Sequence, residues 1–248
     1  METTEDLNTY KEAYNSSFKF NEENLEMLSW YVNRLISAVY RQSNLKVLSL
    51  GIGHRIVSQT IINSLKNNLL KYIIIEGAQD IIRDYLTMYN LPKGVEIVQS
   101  LFESFETDER FDVIEMGFVL EHVDDPYFIL AHFKKFLKKD GSMFMAVPNA
   151  RSLHRAVGHK AGCLDNMYKL SGHDLHLGHK RYFDYESLTK LVLALKLNVV
   201  RTEGIFLKPF ATRQLQQLNL SKHIYKALYI VGQSYPEISN AILLEARL

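Results

Sequence analysis

Apolar positions step by three and four through Leu25, Leu28, Val32, Leu35 and Val39, the spacing that turns one stripe of a helix toward a core, and they predict a helix over 24–42. At Val47 the pattern changes. A short, mostly apolar run to Leu50 reads as a buried strand, Gly51 and Gly53 as a tight turn, and the region from Arg55 as the start of a helix carrying Ile56, Ile61, Ile62 and Leu65. The same alternation then repeats. Strands are predicted at 72–75, 94–99, 111–115, 142–147, 198–205 and 239–246, with helices between them. One of these helices covers 79–89 and stops before Leu91-Pro92, because the residue preceding a proline avoids the helical region. Another follows Asp124-Asp125-Pro126, turns Phe128, Ile129, Phe133, Phe136 and Leu137 inward, ends near Lys139 and leads through an Asp140-Gly141 turn into the fifth strand. Asp184 caps a third, with Leu188, Leu191, Val192 and Leu195 inward. A Leu- and Gln-rich helical stretch over 209–235 suits either a dimer contact or part of a substrate pocket. Strand and helix in turn describe an α/β fold, a doubly wound, mostly parallel sheet with helices on both faces.

Composition adds bounds. The chain of 248 residues is 47% hydrophobic and 23% charged, ordinary for a globular domain, and its net charge of +1 offers no footprint for nucleic acid or an anionic membrane surface. Cys163 stands alone and cannot form an internal disulfide, and the start METTEDLNTY has neither a basic nor an apolar leader region. These features predict a cytoplasmic protein, monomer or homodimer, with neither nucleic-acid nor membrane partners.

Chemistry concentrates at the predicted carboxyl ends of the strands. Gly51 and Gly53 let a ligand approach the backbone closely, and the helix start behind them supplies unpaired N–H groups. The second strand ends in Glu76-Gly77, which places a carboxylate to accept both ribose hydroxyls of an adenosine ligand. After the fourth strand, at the point where strand order reverses, Met116 and Gly117 are expected to border that ligand, with His122 close to its reactive end as a candidate general base. His54 lies in the glycine turn itself, either exposed or against the ligand.

The series VLSLGIGHR, IIIEG, FDVIEMGFVLEHVDDP and GSMFMAVPNARSLHR resembles the class I methyltransferases that use S-adenosylmethionine (SAM), and the resemblance spans 44–198. It implies a Rossmann-like seven-stranded sheet with a final antiparallel strand, and SAM as cofactor. It further implies that the adenine is held just after the third strand, at Leu101, Phe102 and Glu103, and that an N-terminal lid carries Tyr14. Two departures stand out: Ser49 where an acidic residue is frequent, and Arg55 in place of a third glycine. The domain division expected is an arm and covering helix over 1–43 and a methyltransferase domain over 44–248, with 149–182 as a substrate-binding insertion.

That insertion is the least regular part and carries His154, His159, His173, His176 and His179. Histidines at every third position from 173 to 179 raise the question of a metal, but Gly172 and Gly178 oppose a regular helix and no acidic or cysteine cluster accompanies them, so no metal is expected. The family's GHxRxF stretch is matched by Gly178, His179, Arg181 and Phe183, which implies a substrate role. Arg151, Arg155, His173 and Arg181 are the candidate acceptor-binding residues, Arg181 as a planar fork for a carboxylate or phosphate, and His179 joins His122 as a candidate catalytic group. The reading is methyl transfer to an oxygen of a small anionic acceptor, a phosphorylated or nucleotide-linked sugar or a capsular phosphoramidate intermediate. An N-methyltransferase of a nucleotide-linked amino sugar and a non-catalytic SAM-binding module are the alternatives.

Overall fold

The computed structural model describes residues 21–248; Tyr14, assigned to a lid, lies outside them. The elements run α1 (Asn21–Val39), β1 (Leu45–Leu50), α2 (Ile56–Leu65), β2 (Leu69–Glu76), α3 (Gln79–Met88), β3 (Val95–Gln99), β4 (Phe111–Gly117), α4 (Pro126–Lys134), β5 (Leu137–Pro148), α5 (Leu153–Lys160), α6 (Gly172–His176), α7 (Tyr185–Ala194), β6 (Asn198–Ile205), α8 (Thr212–Gln217), α9 (Lys222–Gly232) and β7 (Ala241–Arg247). Among the described residues the strands form one seven-stranded sheet in the order β3-β2-β1-β4-β5-β7-β6. Pairing is parallel from β3 through β5, and β7 runs antiparallel to both of its neighbours.

Strand geometry sorts the core into two layers, because successive side chains leave a strand on opposite faces. Leu48 and Leu50 of β1, Ile73 and Ile75 of β2 and Ile114 and Met116 of β4 face Ile129 and Phe133 of α4 and Leu188 and Val192 of α7. Val47, Tyr72, Ile74 and Val113 face the other way, against Tyr31 and Leu35 of α1 and Ile61 and Leu65 of α2. Burial on both faces explains why these strands read as apolar runs rather than alternations.

Two boundaries differ from the sequence expectation. The fourth helix stops at Lys134 instead of near Lys139, and β5 already begins at Leu137. Phe111 donates its backbone N–H to the Phe136 carbonyl at 2.8 Å, so sheet pairing captures the chain early, and Asp140-Gly141 falls inside the strand beside a register shift. The second difference is at 172–176, which is helical despite Gly172. Ser171 and Asp174 close a reciprocal capping box around its first turn, satisfying orphan donors and stabilising a helix that glycine disfavours.

From β1 the chain moves outward through β2 to β3 on one side, then crosses back to place β4 on the other side of β1. The carboxyl ends of β1 and β4 therefore diverge, opening the crevice in which such sheets hold ligands.

Candidate functional site

A cavity of about 1070 Å³ occupies that crevice, lined by the ends of β1, β2, β4 and β5 and by segments from both flanks of the sheet. Its first wall is the glycine turn. Gly51 and Gly53 adopt φ of +84° and +47°, conformations that side chains disfavour, and the Gly51 N–H donates to the Ile75 carbonyl at 2.7 Å. Phe102 reaches this turn from the 3-10 turn after β3; a methyl group on Gly51 would lie 3.8 Å from its ring. Leu101, Phe102, Glu103 and Gly77 all line the cavity, in keeping with an adenine end at this wall.

Glu76 is buried at the same edge. Its two oxygens accept backbone N–H bonds from Ile52 and Ala78, each at 2.9 Å, so the carboxylate is fixed while lone pairs remain for ribose hydroxyls. Burial raises its pKa, and the backbone donors oppose that rise. Met116 is a correction. The strand continues through it, its side chain is wholly buried in the core, and Gly117 and Phe118 form the wall instead.

At the other end of the cavity the loop over 118–125 meets the segment 177–182. The Lys180 N–H donates to the Glu121 carbonyl at 2.8 Å, and the Arg181 guanidinium donates to the carbonyls of Leu120, Val123 and Asp124. Arg181 thus clasps the loop from outside the cavity, and the expectation that it binds the acceptor is corrected: its fork is spent on backbone oxygens. Arg151 is likewise corrected. It lies half-exposed beside Asp184 and Glu186 at 3.3 and 3.7 Å, away from the cavity, because α5 begins only at Leu153 and leaves it on the outer turn. Arg155 does line the cavity, stacked 4.2 Å over the Tyr182 ring, with its donors on the Met167 and Lys169 carbonyls and the Tyr182 hydroxyl. Its role here is to hold the insertion together. His173 faces the cavity as anticipated. So do Lys208, Ala211, Thr212 and Arg213, at the start of the segment after β6.

The clasp brings His179 against His122, their rings edge to face with centroids 4.7 Å apart, and both against Glu121. Burial depresses the His122 pKa to about 3, with His179 adding to the effect, and burial depresses His179 to about 4 against the opposing pull of Asp174. Both shifts favour the neutral imidazole, the form that accepts a proton. Glu121 was not anticipated. It is fully buried, burial raises its pKa to about 8, and neither carboxylate oxygen has a hydrogen-bond partner from another residue among those described. The sequence signal was there in the Glu121-His122 pair after a strand, but nothing in the spacing announces that His179 completes it.

A family model described as a methyltransferase domain matches residues 21–202, more than half of the chain. Comparison with curated proteins finds no match. Among solved structures, a SAM-dependent methyltransferase from Mesorhizobium loti is similar with a TM-score of 0.62 at 11% identity, over 87% of this chain and 96% of that one. A possible histamine N-methyltransferase from Thermotoga maritima is similar with a TM-score of 0.58 at 16% identity, over 98% and 96%. The plantazolicin methyltransferase BpumL, solved with a monoazolic desmethylPZN analog and SAH, has a TM-score of 0.59 at 12% identity over 98% and 89%. At these identities the likeness is one of fold.

Proposed function

The chain belongs to the methyltransferase-domain family, and from that premise we propose that it methylates an oxygen of a small polar acceptor, a sugar-like molecule or a phosphorylated or nucleotide-linked derivative of one. It is a class I SAM-dependent methyltransferase with SAM as cofactor. Bound SAM supplies an activated methyl group on a good leaving group, so the protein's task is chiefly to hold the acceptor in line. Glu76, Gly51, Gly53 and Phe102 hold the adenosine; the loop over 118–125 and the insertion enclose the acceptor.

One observation carries the acceptor half: Glu121, His122 and His179 converge on the same cavity that Glu76 lines. A buried polar trio suits a hydroxyl, which needs both orientation and a route for its proton. The anionic character expected of the acceptor now rests on fewer cations, since Arg151 and Arg181 face elsewhere and Lys180 and Lys208 are paired with Asp124 and Glu23.

Calorimetric titration with SAM and S-adenosylhomocysteine tests the cofactor half. Wild type should bind both, and Glu76→Ala should weaken both by about 1.5–3 kcal/mol, the scale of hydrogen bonds to a charged group. Mass-spectrometric detection of a methylated product from pools of phosphorylated, nucleotide-linked and neutral sugars tests the acceptor half. SAM binding with no product from any sugar pool would overturn it.

A further inference from the structure

We propose that Glu121, His122 and His179 form a binding site for one divalent first-row transition-metal ion at the acceptor end of the cavity. The proposal rests on the reading of that end as the acceptor pocket. One ligand atom from each residue lies within 4.8 Å of the others, the scale set by a single ion whose bonds to nitrogen and oxygen are about 2.0–2.2 Å long.

Three further features favour a cation. Glu121 places a carboxylate with two unpartnered oxygens in a fully buried position, an arrangement that costs stability unless something positive sits beside it. Each histidine also has at one edge an oxygen of the kind that accompanies metal-binding imidazoles. The His122 ring bonds the Gly178 carbonyl, and His179 Nδ1 lies 3.5 Å from Asp174 Oδ1, which leaves the opposite nitrogen of each ring for a ligand. Asp174 is fixed in turn by the backbone and hydroxyl of Ser171 and by the Tyr182 hydroxyl.

Two imidazoles and one carboxylate select manganese, iron or zinc over magnesium or calcium, which prefer oxygen ligands. Three protein ligands leave coordination positions open toward the cavity, where hydroxyl oxygens of the acceptor can bind and be oriented. The three histidines at 173, 176 and 179 do not make this site. His176 lies outside the cavity wall, and the carboxylate and second imidazole come from a loop over fifty residues away in sequence.

The test uses untagged full-length protein freed of metal by chelation, titrated calorimetrically with Mn²⁺, Zn²⁺ and Mg²⁺, each with and without SAM. Wild type should bind one Mn²⁺ or Zn²⁺ per chain and prefer either to Mg²⁺. Loss of an outer-shell contact alone costs about 10–100-fold in affinity, so Glu121→Gln and His179→Gln should each cost more than about 100-fold while SAM binding persists. Glu121→Gln keeps the side chain's shape, and its circular dichroism and melting temperature establish that it folds. Absence of stoichiometric metal binding by wild type that binds SAM overturns the metal site and leaves the methyltransferase reading intact. Metal binding that survives both substitutions also overturns it. Failure of wild type to bind SAM strikes instead at the cofactor pocket.

Discussion

At position 49 the chain carries a hydroxyl where the family it resembles favours a carboxylate, and the missing charge stands one strand away. Ser49 of β1 is paired in register with Glu115 of β4, and the Glu115 carboxylate accepts the Gly117 N–H at 2.7 Å with the Ser49 and Tyr31 hydroxyls beside it. Burial dominates these donors and raises the Glu115 pKa to about 6 from 4.5. Between those values the folded state holds more protons than the unfolded one, so stability falls as pH rises from about 4.5 to about 6 and stays reduced above. The shift corresponds to about 2 kcal/mol. Glu115→Gln keeps an acceptor for the Gly117 N–H and removes the charge; chemical denaturation should find it more stable than wild type at pH 7.5 by up to about 2 kcal/mol, with the difference vanishing at pH 4. A constant difference across that range would mean that Glu115 is not the titrating group. Sequence could flag Glu76, because it ends a strand ahead of a glycine. It gave no such cue for Glu115, whose burial depends on which strands become neighbours.

At the scale of elements, the strands and the longer helices were legible from apolar spacing, and the sixth strand falls where its pattern places it, at Asn198–Ile205. The loop over 118–125 was not. Its position is set by Arg181, and a sequence shows a guanidinium without showing whether backbone oxygens have already taken its donors. Three bonds from one charged group to one loop make Arg181 a structural tie between the halves of the acceptor end. Arg181→Ala should therefore cost about 1.5–3 kcal/mol of stability, and it should weaken acceptor binding through displacement of Glu121 and His122. Arg181→Lys should not rescue it, since a single ammonium cannot reproduce the planar fork. Urea denaturation of both variants checks this; wild-type stability in either, with acceptor affinity alone reduced, would restore the guanidinium to the ligand.

Across the whole molecule the cavity joins parts that lie far apart in the chain: α1 from one layer, the strand ends from the sheet, the insertion and the segment after β6. Periodicity can find each part but cannot bring them together, which is why the resemblance conveyed a doubly wound, mostly parallel sheet while the strand order and the cavity's outer wall had to come from the structure. At Gly117 the helix layer and the sheet meet closely. The Tyr31 ring of α1 lies flush on it, so that a methyl group added there would sit 2.3 Å from a ring carbon, and the Tyr31 hydroxyl donates to the Phe144 carbonyl at 3.2 Å. That ring cannot retreat alone, because it is wholly buried within the layer formed with α2. Gly117→Ala must therefore shift α1, and α1 carries Glu23, Asn24, Met27 and Leu28 of the cavity wall. Overpacking of this kind costs about 1–3 kcal/mol, a fall in melting temperature of about 2–12 °C for a domain of this size. The substitution should also weaken SAM binding, so saturating SAM should restore less of the lost stability than it adds to wild type. Thermal melts of both proteins with and without SAM make the comparison. An undiminished SAM-induced shift in Gly117→Ala would show that the cofactor wall tolerates movement of α1, and that the two layers are coupled through the core alone.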